Sequence, residues 1–197
     1  MRRSVANHLN DLSRDEPELV VATAKRWLSE PDATTSALVR HGLRTLVKRG
    51  DVGALALMGY RGTNITFDSP QLEETEIPFG GEIRFSFTIK NDGPQVARLA
   101  VDYIIHHRRS SGLQTPDSRL QTPKVFKLTT AEVAPGEIVK ITRTHSFRAI
   151  TTRRYYPGTQ AVSVQVNGLF SQLTKFELMD PAVAGRRLGD PGPATAD

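Results

Sequence analysis

The hydrophobic pattern of this 197-residue chain changes period near residue 62, and this change limits the possible folds more than any other feature. Before that point, apolar residues recur every three or four positions, as they do on one face of an amphipathic helix. After it they alternate with polar residues, which is the pattern of a strand with one buried side. The sequence therefore predicts a helical region followed by a β region.

The helical region, residues 1–61, contains signals for the start and the end of four helices. Pro17 suits the first turn of the second helix, and Asp32 or Thr34 can cap the third. Gly50 is expected to end the third helix, and Asp51 to cap a short fourth one. Paired helices of about fifteen residues with tight turns are typical of an α-solenoid repeat, so we expect a short solenoid here.

The first helix starts directly after Met1, so the sequence offers no residue that could cap it. Its apolar face is predicted to contain Val5, Leu9 and Leu12, which recur at helical spacing. The missing cap is explained if the solenoid originally continued upstream.

The β region, residues 62–180, is predicted to form about seven short strands, which favours an immunoglobulin-like sandwich. Asn167-Gly168 is a strong signal for a two-residue hairpin turn. The tail, residues 181–197, has no periodicity and is predicted to be disordered. The inward-facing positions of four strands are read from the alternation as Ile83, Phe85, Phe87 and Ile89; Leu99, Val101, Tyr103 and Ile105; Val139 and Ile141; and Val162, Val164 and Val166.

The net charge of +5 is spread unevenly along the chain. Residues 63–92 contain two basic and six acidic side chains, whereas residues 98–154 contain eleven basic and four acidic ones. A segregated positive surface favours a polyanionic partner such as nucleic acid, although an ordinary solvated surface accounts for the charge alone equally well.

Other features of the composition bear on the compartment. The chain has no cysteine, which excludes a disulfide framework and a thiolate metal site. No apolar run is long enough to span a membrane, and the first residues lack the apolar stretch of a signal peptide. We therefore expect a cytoplasmic protein that does not bind membranes.

Several stretches of the sequence resemble a known family. In the helical region, "RRSVANHLNDLSRDEPELVVATAKRWL" and "VRHGLRTLVKRGDVGALALMGY" resemble the last repeats of the HEAT-repeat DNA alkylation-repair glycosylases. In the β region, "VDYIIHH", "KVFKL", "TTRRYYPG" and "VQVNG" are similar to the immunoglobulin-like domain that distinguishes the AlkC branch from the AlkD branch. The resemblance runs from residue 2 to about residue 180, through both regions in order.

This resemblance implies both a fold and an activity. The fold would be a multidomain α plus β protein, with a short HEAT-type solenoid remnant at 1–61 and an all-β immunoglobulin-like sandwich at 62–180. The activity would be that of a bacterial enzyme that grips duplex DNA containing alkylated bases and hydrolyses the N-glycosidic bond of N3-alkylated bases. Such a reaction needs neither a metal nor a redox cofactor, and we expect a monomer.

On the first helix, five polar residues recur at steps of three and four, on the side away from the predicted apolar face. A glycosylase needs a carboxylate near the developing oxocarbenium ion, and Asp11 is the candidate for this catalytic role. Asp11 could instead be an exposed helix acid paired with Arg14, or a polar residue between repeats. The DNA-contacting candidates on this helix are Arg3, Asn7, Asn10 and Arg14.

Basic residues suggest further DNA contacts in both regions. A row on the third helix recurs at helical spacing and fits a DNA backbone, although a solvated helix face is equally common. "TTRRYYPG" could clamp a phosphate, and its Tyr155 or Tyr156 could instead anchor a corner of the sandwich. The candidates are Arg40, His41, Arg44 and Lys48 on the helix, and Lys124, Lys127, Arg153 and Arg154 in the β region.

The chain differs from the family in length, because family members carry several more helical repeats before the point where this sequence starts. We therefore expect a fragment, a mis-started reading frame or a truncated descendant. As a glycosylase this chain would be weak or inactive unless upstream repeats are present. The alternative is a non-catalytic HEAT/immunoglobulin-like module that binds DNA or a protein.

Overall fold

A computed structural model describes residues 2–61, 64–108, 123–151 and 154–180 of the chain. The tail that we predicted to be disordered lies outside the described residues, and so does Arg153. Within the described ranges, no helix is long and apolar enough to cross a membrane.

Five helices of 6 to 13 residues form the helical region, so they are shorter than the predicted fifteen. Pro17 opens the second helix, as predicted. Gly50, at φ +79°, follows the fourth helix, and Asp51 caps the fifth by accepting a hydrogen bond from the backbone N–H of Ala54 at 2.8 Å. The helices are α1 (Arg2–Leu12), α2 (Pro17–Ser29), α3 (Thr35–Gly42), α4 (Arg44–Arg49) and α5 (Val52–Leu57).

The prediction of one continuous third helix was wrong, because the chain breaks at Leu43 between α3 and α4. In a continuous helix the backbone N–H of Thr45 would bond to the carbonyl of His41. Here it donates to the side-chain oxygen of Asn10 on α1, at 3.1 Å, while the His41 carbonyl still accepts a backbone N–H at the end of α3. A side chain distant in sequence thus ties α1 to α4, and Leu43 is fully buried at the break.

The buried face of α1 is also rotated relative to our prediction. Leu9 is buried as expected, but Val5 is 42% exposed and Asn10 is only 4% exposed. Gly42 of α3 lies against Leu9, so closely that a Cβ at this glycine would come within 2.8 Å of the Leu9 side chain. The close approach of α1 and α3 therefore depends on a glycine, and it draws a polar residue of α1 into the interior.

The β region contains ten strands in the described residues, seven of which have three or more residues and match the predicted number. β4 pairs with β1, β2 and β7 in one sheet, and the second sheet has the order β3-β10-β8-β5-β6, with β9 paired to β8. All pairs are antiparallel except β3 with β10. The strands are β1 (Ile65–Phe67), β2 (Gln71–Leu72), β3 (Glu76–Ile77), β4 (Glu82–Asn91), β5 (Ala97–His106), β6 (Lys124–Val133), β7 (Ile138–Ser146), β8 (Gly158–Val166), β9 (Leu169–Phe170) and β10 (Thr174–Leu178).

The two sheets enclose one apolar core, to which the alternating residues of β4, β5 and β8 contribute as predicted. Phe85 and Tyr103, from different sheets, lie with their ring centroids 5.5 Å apart. The hairpin predicted at Asn167-Gly168 is also confirmed. Both residues have positive φ, +45° and +86°, as a type I′ turn requires.

The hairpin turn joins the sandwich to the helical region. A Cβ on Gly168 would come within 2.3 Å of the carbonyl oxygen of Gly50, and one on Gly50 within 2.8 Å of the Gly168 Cα. The side chain of Asn167 donates to the carbonyl of Arg61 at 3.1 Å. The two regions therefore meet through backbone contact, which only glycine allows at these two positions.

Candidate nucleic-acid interface

A cleft of about 530 Å³ lies between the helical region and the outer face of the second sheet. One wall comes from α3, α4 and the segment after α5, and the other wall comes from β5 and β6. The lining residues on the helical side are Arg40, Arg44, Val47, Lys48, Met58 and Tyr60; those on the sheet side are Arg98, Ala100, Asp102, Val125, Lys127, Thr129 and Thr130.

The walls of the cleft are strongly basic. Three cations come from α3 and α4, and Arg98 and Lys127 face them from the strands. Like charges that line the same cleft repel one another unless an anion lies between them. The arrangement therefore suits a ligand that carries several negative charges along its length.

Among the described residues that line the cleft, Asp102 is the one carboxylate. It lies directly across the strand pair from Lys127. Burial raises the pKa of Asp102 to about 6, although the charges of Lys127 and Lys48 oppose this shift. A carboxyl group with such a pKa changes its charge near physiological pH, so it can alter the net charge of the cleft.

Two contacts fix the strand wall relative to the helices. The guanidinium of Arg98 lies over the ring of Tyr60, with its Cζ 5.2 Å from the ring centroid. The side-chain amide of Asn167 donates to the carbonyls of Arg61 and Arg98, at 3.1 and 3.0 Å. The cleft is thus preformed, and its width is set by the junction of the two regions.

The structure places the predicted DNA-contacting residues in three separate areas. Arg40, Arg44 and Lys48 from the helices and Lys127 from β6 line the same cleft. This grouping joins residues that are about eighty positions apart in the sequence and that we had predicted from two unrelated patterns. They are the predicted site residues that the fold brings together.

A second group lies on α1, outside the lining of the cleft. Arg3, Asp11 and Arg14 are exposed. Asn7 contacts His41 and Arg44, whereas Asn10 is buried with its oxygen bonded to Thr45. Asn10 is therefore a link between helices, and its burial removes it from the surface that we propose for DNA.

A third group lies toward the other end of the sandwich. Arg154 precedes β8, whereas the junction turn follows that strand, and nine extended residues span about 30 Å. Arg154 lies over the ring of Tyr156 at 5.6 Å. Lys124 is three residues, or about 10 Å, from Lys127 along β6. Tyr155 packs against the sandwich core, as expected for a corner residue.

Within the described ranges, no group of three or more histidine, aspartate or glutamate side chains is arranged to hold a metal ion.

Comparison with known proteins identifies the family. The family model described as "Uncharacterised protein YhaZ, C-terminal Ig-like domain" matches residues 66–180, which is more than half of the chain. The chain belongs to this family. The sandwich of this YhaZ-family chain is therefore immunoglobulin-like, as its alternating pattern had predicted.

Two relatives extend the match into the helical region. The uncharacterized protein YhaZ of Bacillus subtilis (strain 168) is 36% identical over 183 residues, which are 90% of this chain and 47% of that protein. A solved structure, the Pseudomonas fluorescens alkylpurine DNA glycosylase AlkC bound to DNA containing an abasic site analog, is 36% identical, with a TM-score of 0.77. This match covers 91% of this chain and 48% of the AlkC chain.

These comparisons confirm the resemblance to the AlkC branch of the alkylation-repair glycosylases. The YhaZ-family chain spans about half the length of each of the two relatives.

The lining residues that sequence reasoning missed include Tyr60, Arg98 and Asp102. The signal for the last two was their position, because both lie at outward-facing places of the β5 alternation. The sequence does not indicate that the helical region covers this face of the sheet. Its outward-facing residues therefore resemble ordinary surface residues.

Proposed function

We propose that this chain is part of a DNA alkylation-repair glycosylase and that it binds duplex DNA in the basic cleft. The observation that carries the proposal is the convergence of Arg40, Arg44, Lys48 and Lys127 on one preformed cleft. Cations held at fixed places along a cleft can neutralise successive phosphates without reading the base sequence. The AlkC structure, which matches 91% of this chain, contains DNA, and this supports DNA as the partner here.

The finer parts of this proposal follow from the family. The helical region would be the end of a HEAT-type solenoid, at residues 1–61, with the sandwich at 62–180. The complete protein would act as a monomer and hydrolyse the N-glycosidic bond of N3-alkylated bases. Asp11, which is exposed on α1, is the candidate carboxylate of this chain for that reaction.

DNA binding by the cleft is tested with a labelled plain duplex and fluorescence anisotropy, at salt concentrations from 50 to 300 mM. Replacing Arg40, Arg44 and Lys48 together by Ala should lower the affinity and reduce the salt slope by about 2.7, at roughly 0.9 per phosphate contact. Lys140→Ala is the control, because Lys140 is exposed on β7 and is not among the lining residues of the cleft. An unchanged slope in the triple variant would contradict the proposal.

The catalytic part is tested by the release of base from alkylated duplex. We expect little release from residues 1–197 alone, and release once upstream repeats of a relative are joined to Arg2. Asp11→Asn should then abolish most of the restored activity. If that variant keeps full activity, Asp11 is not the catalytic carboxylate. If the joined protein binds DNA but releases no base, the chain is better described as a DNA-binding module without catalysis.

A further inference from the structure

Asn7 of α1 contacts two basic side chains of α3 and α4, at the helical wall of the cleft. The Asn7 side-chain oxygen lies 2.8 Å from His41 Nε2 and 3.3 Å from Arg44 Nη1. A guanidinium can only donate hydrogen bonds, so the Asn7 atom that faces it must be the oxygen. It follows that His41 Nε2 carries a proton and donates it to the same oxygen.

The Arg44 guanidinium has a second acceptor nearby. Its Nη1 also donates to the carbonyl oxygen of His41, at 3.1 Å. That carbonyl also accepts a backbone N–H at the end of α3, and its second lone pair receives the guanidinium. Two acceptors therefore hold one nitrogen of Arg44, and one of them, the Asn7 oxygen, comes from α1.

The other helical cations of the cleft are not held in this way. In the part of the chain that the structure describes, neither Arg40 nor Lys48 has a hydrogen-bond partner for its side chain. A long free side chain loses rotamer entropy when it is ordered. Arg44 has already lost part of this freedom before any ligand arrives, so an anion in the cleft meets a preoriented donor.

We infer that Asn7 is a positioning residue, which holds the Arg44 guanidinium in the orientation that receives a DNA phosphate in the cleft. This inference rests on the proposed DNA binding. It differs from our prediction that Asn7 itself contacts DNA, since here the asparagine acts through Arg44. The remaining donors of Arg44 stay available, because a guanidinium has five N–H groups and only one nitrogen is engaged by these acceptors.

The test is a double-mutant cycle on affinity for a plain labelled duplex. Arg44→Ala should weaken binding about eightfold at 0.1 M salt, since one phosphate contact contributes about 0.9 to the log–log slope. Asn7→Ala should weaken binding by about two- to fourfold in the wild-type background and not at all in the Arg44→Ala background. Asn7→Asp keeps an acceptor at this place but adds a negative charge, so it should restore the orientation of Arg44 without restoring the full affinity.

Arg40→Ala provides the matched background, because Arg40 lines the same cleft without contact to Asn7. In the Arg40→Ala background, Asn7→Ala should weaken binding by the same two- to fourfold as in the wild type. Equal losses in the Arg44→Ala and Arg40→Ala backgrounds would overturn the inference, because they would mean that Asn7 acts on the fold in general. Thermal unfolding of each variant confirms that the compared proteins are folded.

A measurement without DNA separates this inference from the proposed function. The order parameter of the Arg44 Nε–Hε group, measured by NMR in the free protein, should fall in Asn7→Ala and recover in Asn7→Asp. An unchanged order parameter would overturn the positioning role whatever the binding data show. If the wild-type chain does not bind duplex DNA at all, the proposed function fails, and so does the role of Asn7 in it, even where Arg44 is ordered.

Discussion

The sandwich surrounds its core with side chains from two facing sheets, whereas the helical region has a smaller core that asparagine side chains supplement. In the sandwich, alternation decides which residues of β4 face the core, whereas β8 is buried along nearly its whole length. In the helical region, the buried side chain of Asn10 accepts a hydrogen bond from the backbone N–H of Thr45 on another helix. The comparison shows that local pattern specifies the facing of a strand such as β4, whereas the burial of β8 and of Asn10 depends on what the rest of the fold packs against them.

The largest expected effect compares the two cores directly. Phe85→Ala in the sandwich should lower the free energy of unfolding by about 3–5 kcal/mol, and Leu43→Ala in the helical core by about 2–4 kcal/mol, because both side chains are fully buried. Chemical denaturation followed by circular dichroism measures both losses. We expect a single transition in each variant, since the regions share a backbone contact. Two separate transitions in Leu43→Ala would show that the regions unfold independently.

The second effect tests the contact between the regions. Gly168→Ala should lower the free energy of unfolding by about 2–4 kcal/mol. The new Cβ clashes with the Gly50 carbonyl, and an alanine is strained at the positive φ of this position. Gly136→Ala is the matched control: its φ is +75°, and a Cβ there meets nothing within 4 Å. The control should therefore show only the backbone strain, of about 1–2 kcal/mol. Equal losses at the two positions would mean that the contact at Gly168 does not contribute.

The third effect concerns the asparagine link. Asn10→Ala should lower the free energy of unfolding by about 1–2 kcal/mol, because the N–H of Thr45 then loses its acceptor in a partly buried place. His8→Ala, at an exposed position of the same helix, should change stability by less than about 0.5 kcal/mol. If Asn10→Ala is as stable as the wild type, the helix break does not depend on this side chain.

The smallest effect is a dependence on pH at Asp102, whose side chain is only half-buried. The pKa of Asp102 is about 6 in the folded protein and near 3.8 in the absence of burial. The folded state thus binds the proton more tightly, so the stability that this proton contributes is complete below pH 3.8 and is lost as the pH rises through 6. Asp102→Asn should therefore be more stable than the wild type at pH 7.5, with the difference disappearing toward pH 4.

The same variant changes the charge of the cleft. Lys127 of β6, Lys48 of α4 and the uncharged Gln165 of β8 face Asp102 from the neighbouring elements. At pH 7.5, Asp102→Asn should bind duplex DNA more tightly than the wild type, and the two affinities should converge near pH 5. Parallel affinities across this range would show that the carboxylate does not affect the ligand.

The sequence allowed most of the sandwich to be predicted, because side-chain period and turn chemistry are local. Asn167-Gly168 needs no information from elsewhere in the chain to form its turn. The bond between Asn10 and Thr45 beside the helix break could not be predicted, because the two residues lie thirty-five positions apart. For the same reason the sequence indicated the cations of the candidate site only one by one. The cleft that groups them with Arg98 and Asp102 forms only when the two regions pack together, so it could not be predicted.

The bond from the Asn167 side chain to the Arg61 carbonyl also has a consequence for how the protein is made. The two residues are 106 positions apart, and at about 5–20 residues per second the ribosome needs roughly 5–20 s to add the second after the first. During that interval the nascent helices have no hairpin turn against which to dock. Productive docking must therefore wait until almost the whole sandwich has been synthesised.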